Sequence, residues 1–122
     1  HGDIRPERET LVRVHEPISV IDFLDPASAS HSFPVDVSLA TLAAAEAGVM
    51  VLLYRPQSGR ELLASLNRTQ DRPVKWDARL FGVGAQILRS LNVGKMRLLA
   101  SPRKIRSMAG FGLEITGFVD KN

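Results

Sequence analysis

The sequence contains no cysteine. That excludes disulfides and every metal site built on thiolates. Aromatic residues are scarce, with one Trp and one Tyr. Too few are present to stack on successive bases, and the basic residues are scattered rather than clustered, so nucleic acid is not an expected partner. There is no run of about 18 apolar residues, the length a membrane-spanning helix needs. No segment with a basic, then apolar, then small-residue pattern marks a secretory signal. Neither a membrane partner nor an oxidising compartment is indicated, and a cytoplasmic location is expected.

What is present is one domain's worth of chain. The 122 residues are 44% apolar, enough to bury a small core. The net charge is +3 and the pI near 9.8, a mildly basic balance that favours a phosphate-bearing ligand. The first residue is His1 rather than Met, so the chain is read as a piece of a longer polypeptide.

Residues 10–15, TLVRVH, have strand character, with Leu11, Val12 and Val14 as the apolar positions. Residues 19–24 form a second apolar run, strand or short helix, stopped by Asp25-Pro26. Residues 26–34 are small, polar and bounded by prolines, which predicts a loop. Asp36 is the expected N-cap of an alanine-rich helix over 37–47, with Leu39, Leu42 and Ala43 on one face and Gly48 ending it. Residues 49–54, VMVLLY, are the most apolar stretch and predict a buried central strand. A turn over 55–60, a helix over 61–66 and a polar loop over 67–75 follow.

The stretch 76–104, WDARLFGVGAQILRSLNVGKMRLLASPRK, carries most of the remaining organisation. Gly82-Val83-Gly84 is expected to turn. Ile87, Leu88 and Leu91 then share a helical face over 81–91. Asn92 and Gly94 are expected to close that helix, because both tolerate the left-handed conformation. Residues 96–100 predict a short buried strand, and Ser101-Pro102-Arg103-Lys104 a basic turn at its C-terminal end, where α/β sheets place ligands. A short helix over 103–108, ended by Gly110 and Gly112, and a last strand over 113–119 complete the chain. Strands alternating with crossover helices give an α/β domain, a mixed sheet with flanking helices.

FGVGAQILRSLNVGKMRLLASPRK resembles the C-terminal half of GTP cyclohydrolase II, a family that typically reads D-x-R-D-Y-G-x-G-A-Q-I-L and then M-R-L-L-T-N-N-P-x-K. Val12-Arg13-Val14-His15 is a weaker echo of V-R-V-H-S-E-C. The resemblance implies a GTP cyclohydrolase II-like domain over residues 1–122. It also implies a reaction that removes formate and pyrophosphate from GTP, opening riboflavin biosynthesis. In that family zinc, held by three cysteines, activates water, magnesium accompanies the triphosphate, and an arginine attacks the α-phosphorus with an aspartate as its base.

Carried onto this sequence, the base and the arginine are Asp77 and Arg79. The family's R-Q-E-G-R-G becomes RPQSGRE, which keeps Arg55 and Arg60 as phosphate contacts and loses the acidic residue between them. Arg103 and Lys104 keep the basic turn, while Ala100 stands where the family has threonine. The segment 60–77 is much shorter than its counterpart. The three zinc positions fall on Ile18, Ala29 and His31. Ile18 and Ala29 cannot ligate metal, so no zinc or magnesium cofactor is expected, and His15 and His31 read as ordinary polar residues near a loop.

The expected function is therefore a degenerate member, structural or regulatory for an attached 3,4-dihydroxy-2-butanone 4-phosphate synthase domain. A GTP-like nucleotide ligand and a homodimer go with that expectation. The alternative is residual or full cyclohydrolase activity, with pyrophosphate released through Arg79, with or without ring opening.

Overall fold

The structure, a computed structural model, describes residues 1–18, 33–54, 60, 78–102, 105 and 107–120; for 16–18, 54 and 78–81 only the backbone is described. Four strands, β1 (Glu9–Ile18), β2 (Gly48–Tyr54), β3 (Lys95–Leu99) and β4 (Glu114–Val119), form one sheet in the order β2-β1-β3-β4. Two helices are delimited among the described residues, α1 (Val35–Ala43), between β1 and β2, and α2 (Ala78–Ser90), between β2 and β3. A single turn of 3-10 helix, Ala109–Phe111, precedes β4.

The expected α/β class with flanking helices is what the structure has. All three described strand pairings are parallel. The antiparallel component is an isolated bridge between Gly2 and Ala47.

The two faces of the sheet are covered differently. Val12 and Val14 point to the α2 side, where Val12, Val49, Val51, Leu53, Ala85, Leu88, Val93 and Met96 form the main core with Met108 and Leu113. Burying each such aliphatic side chain stabilises the fold by about 1.5–3 kcal/mol. The opposite face carries Arg13 and His15 and lies under α1, whose buried residues are Val35, Ser38 and Leu42.

Several elements differ from their sequence-based expectation. Pro34, not Asp36, is the N-cap of α1, with φ −61 and ψ 158. Its ring presets the extended backbone from which a helix can start. Asp36 instead lies in the first turn, where a negative charge suits the helix dipole. The helix ends at Ala43 rather than 47. The Ala47 carbonyl is taken by the Leu11 amide at 3.0 Å, which draws residues 44–47 out of the helix and toward the sheet. Of the expected face Leu42 is buried, but Leu39 is 52% exposed and Ala43 exposed, while Ser38 is fully buried. The Ser38 hydroxyl donates to the Pro34 carbonyl at 2.8 Å, which makes its burial tolerable.

Gly82 and Gly84 do not turn; both lie inside α2. The apolar periodicity of Ala85 and Leu88 outweighs a propensity cost of about 1 kcal/mol per glycine. The end of α2 is a Schellman motif. Val93 N–H donates to the Leu88 carbonyl at 3.1 Å, Asn92 N–H donates to the Arg89 carbonyl at 3.0 Å, and Asn92 has φ 67. This motif turns Leu91 outward, so it is exposed rather than part of the apolar face. Gly94 is not left-handed. It is glycine because a Cβ there would collide with the Pro6 carbonyl.

Residues 105, 107 and 108 are not helical, against the expected helix over 103–108, and the 3-10 turn Ala109–Phe111 stands just after them. Gly110 lies within that turn, and Gly112, with φ 71, ends it. The expected elements at 19–24, 55–59 and 61–75, and most of the 26–34 loop, lie outside the described residues. Among the described residues no helix is long and apolar enough to cross a membrane.

Candidate functional site at the carboxyl ends of β1 and β3

The strand order makes β1 the point of reversal. From β1 the chain goes through α1 to β2 on one side, then through α2 to β3 on the other. Such a switch point is where α/β sheets carry a ligand crevice, here beyond the carboxyl ends of β1 and β3.

The register shows where the crevice starts. β1 and β3 pair from Glu9↔Lys95 to Val12↔Leu98. Beyond that, β1 continues beside β2 alone, through His15↔Leu52 to Ile18↔Tyr54, with an irregularity between His15 and Ile18. Such irregularities re-aim a strand's last side chains.

Arg13 lies where the two strands part. Its Nη1 donates to the Leu99 carbonyl at 3.0 Å and its Nη2 to the Phe33 carbonyl at 3.1 Å. Its guanidinium lies 5.7 Å from the centroid of the Phe33 ring, within cation–π range. Arg13 is 6% exposed and His15 fully buried. One side chain of β1 thus ties together the end of β3 and the chain just before α1.

Of the sequence-predicted site residues, Arg79 and Arg60 are among the described ones. Arg79 is in the first turn of α2. Because α2 ends beside the start of β3, its first turn is at the carboxyl end of the sheet, level with the crevice. Arg60 is exposed. Asp77, Arg55, Arg103 and Lys104 lie outside the described residues. Ile18 is the last residue of β1, at the crevice. Ala29 and His31 also lie outside the described residues.

Ile18 has no donor atom and the sequence has no cysteine, so a zinc site of three thiolates does not fit these residues. Among the described residues no three His, Asp or Glu side chains cluster closely enough to hold a metal ion.

Reading the sequence missed Arg13 altogether, and it misjudged His15, which is buried in a strand rather than near a loop. In TLVRVH the two polar residues alternate with valines, as on a half-solvated strand. The discriminating signal was the parallel sheet itself, whose strands are covered on both faces, so that a polar residue in one is buried for a reason.

This geometry defines a doubly wound α/β domain with its switch point between β1 and β3. The family profile described as GTP cyclohydrolase II matches residues 1–120, and the chain belongs to that family. It is 45% identical to a protein of Neisseria meningitidis serogroup A, "3,4-dihydroxy-2-butanone 4-phosphate synthase", over 96% of this chain and 32% of that one. It is 32% identical to the rice "Probable monofunctional riboflavin biosynthesis protein RIBA 3, chloroplastic", over 97% of this chain and 25% of that one. It is 30% identical to "Riboflavin biosynthesis protein RibBA" of Chlorobium phaeovibrioides, over 93% and 31% respectively. The chain therefore spans a third or less of each of these relatives. No solved structure matches it.

Proposed function

We propose that this chain is a GTP cyclohydrolase II-family domain that no longer opens the purine ring. In this reading it serves a 3,4-dihydroxy-2-butanone 4-phosphate synthase domain of the same polypeptide, in riboflavin biosynthesis. The observation that carries the proposal is Ile18 at the carboxyl end of β1, an aliphatic residue where the family resemblance puts a zinc thiolate, in a sequence without cysteine. Ring opening needs an activated water, and an aliphatic side chain supplies neither a metal ligand nor a base. The attached synthase is supported by the printed name of the Neisseria relative, of which this chain is about a third.

The crevice then has a binding role. Its proposed ligand is a GTP-like nucleotide, with Arg55, Arg60, Arg103 and Lys104 meeting phosphates, in a homodimeric protein. Binding without turnover would bias the attached synthase or simply hold it in shape.

A second reading is favoured by one observation, the position of Arg79 in the first turn of α2. With Asp77 as its base, Arg79 would displace pyrophosphate from GTP and leave the ring intact.

The test is a stoichiometric incubation with GTP, magnesium and added zinc, with formate and pyrophosphate assayed separately. The proposal expects neither product. Pyrophosphate alone, lost in Arg79→Ala, would establish the second reading. Formate would overturn both.

A further inference from the structure

α1 is apolar on the side turned away from the sheet as well as on the side turned toward it. Val35, Ser38 and Leu42 are its buried residues. Val37, Leu39, Ala40, Ala43 and the C-cap Ala44 are exposed, Val37 at 40% and Leu39 at 52%. At about 3.6 residues per turn these five fall on one continuous arc opposite the buried stripe. The hydroxyl of Thr41, beside that arc, donates to the Val37 carbonyl at 2.7 Å and so is satisfied within the helix. A surface helix ordinarily carries its charges on such an arc, and a helix that is apolar all round is covered on both sides.

The charge around the arc is of one sign. Asp36 stands in the first turn of α1 and Glu46 just past its end, both exposed. Neither makes an ion pair among the described residues. All 16 Lys and Arg of the sequence lie outside residues 14–54. The arc is therefore an apolar surface with an acidic rim, in a chain that is basic elsewhere.

That rim selects the occupant. A second copy seated symmetrically on this face would set Asp36 and Glu46 against the same acids. An anionic lipid surface or a nucleic acid is repelled for the same reason. What fits is a protein surface with an apolar centre and Lys or Arg at its edge.

We propose that the outer arc of α1 is a docking surface for such a partner, namely the synthase domain of the same polypeptide. Leu39 and Val37 are its apolar centre, Ala40, Ala43 and Ala44 let the partner approach closely, and Asp36 and Glu46 meet its cations. This rests on the proposed function for the identity of the partner. The Neisseria relative, which this chain matches over 32% of its length, has ample further chain to supply one.

The experiment measures maleimide labelling of single cysteines placed in this domain of the full-length polypeptide, read site by site by mass spectrometry. Val83→Cys, on α2 at 46% exposure, is the free-surface control. A tethered partner is held at about millimolar effective concentration, so a contact with a Kd of about 0.1 mM is closed some nine-tenths of the time. Leu39→Cys should then label about tenfold more slowly than Val83→Cys at every protein concentration. Glu46→Lys should speed labelling of Leu39→Cys about threefold or more and leave Val83→Cys unchanged. Ala43→Cys is the second probe should Leu39→Cys fail to fold.

Equal labelling of Leu39→Cys and Val83→Cys would overturn the proposal. So would protection that disappears on dilution, since a second copy would then cover the face. Protection indifferent to Glu46→Lys would overturn the basic rim assigned to the partner. A photoreactive phenylalanine analogue in place of Leu39 identifies what lies there: it should cross-link to a synthase-domain peptide, and a cross-link within residues 1–122 would overturn the proposal. Synthase, formate and pyrophosphate assays test the proposed function without using this face, so an attached synthase with Leu39 freely labelled would sink this inference alone.

Discussion

Arg13 and Leu99 are 86 residues apart in sequence and joined by a hydrogen bond of 3.0 Å, guanidinium to carbonyl. With its second bond to Phe33, the same side chain closes the widening gap between β1 and β3. Arg13→Met should leave two buried carbonyls without their donors and cost about 2–4 kcal/mol. Arg13→Lys should recover only part of that, since an ammonium cannot fork to two carbonyls as a guanidinium does. Urea unfolding followed by circular dichroism checks both; an Arg13→Met variant as stable as the parent would mean the bridge contributes nothing.

Two glycines should respond in opposite directions. At Gly82, inside α2, a Cβ would meet nothing within 4 Å, so Gly82→Ala should stabilise by about 0.5–1 kcal/mol. At Gly94 a Cβ would meet the Pro6 carbonyl, so Gly94→Ala must displace backbone and should destabilise by about 2 kcal/mol or more. Thermal melts of the pair would give the two signs directly.

Thr10 is fully buried in β1, and its hydroxyl oxygen has no hydrogen-bond partner among the described residues. Its desolvation is uncompensated, so Thr10→Val should be neutral or stabilise by up to about 1–2 kcal/mol. A loss of stability on chemical denaturation would show that the hydroxyl does have a partner.

Zinc binding can be tested by placing thiolates at the three positions. Replacing Ile18, Ala29 and His31 together by cysteine should let the chain take up one zinc, measured by metal analysis after dialysis. On the proposed reading formate should still not appear on adding GTP, because the resemblance makes segment 60–77 much shorter than its family counterpart. Formate production would show that the cysteines alone separate this chain from an active enzyme.

The parts of the fold that rest on local pattern were legible in the sequence. The strands at 10–15, 49–54 and 113–119 and the amphipathic stretch after Gly84 were read from their periodicity, and Asn92 was recognised as a left-handed helix end. What failed was decided at a distance. The end of α1 depends on Leu11 taking the Ala47 carbonyl, and the exposure of Leu39 depends on which face of α1 meets β1 and β2. Of the site, the resemblance supplied Arg79 and the zinc positions. Arg13 and His15 became visible only when the sheet proved parallel and covered on both faces, because polar residues alternating with valine look solvated until the topology is known.

The strand order also bears on how the domain is assembled during synthesis. Of the four described strands β1 leaves the ribosome first, yet its two neighbours are separated from it by very different lengths of chain, Leu11 pairing with Gly48 and Glu9 with Lys95. One side of β1 can be paired once half the domain has been made. The other stays open until three quarters has been translated, and the Arg13 bridge cannot close before Leu99 exists. A nascent chain stalled in the segment between β2 and α2 would therefore present a bare apolar strand edge, which is when it is most exposed to chaperones and to its own neighbours on a polysome.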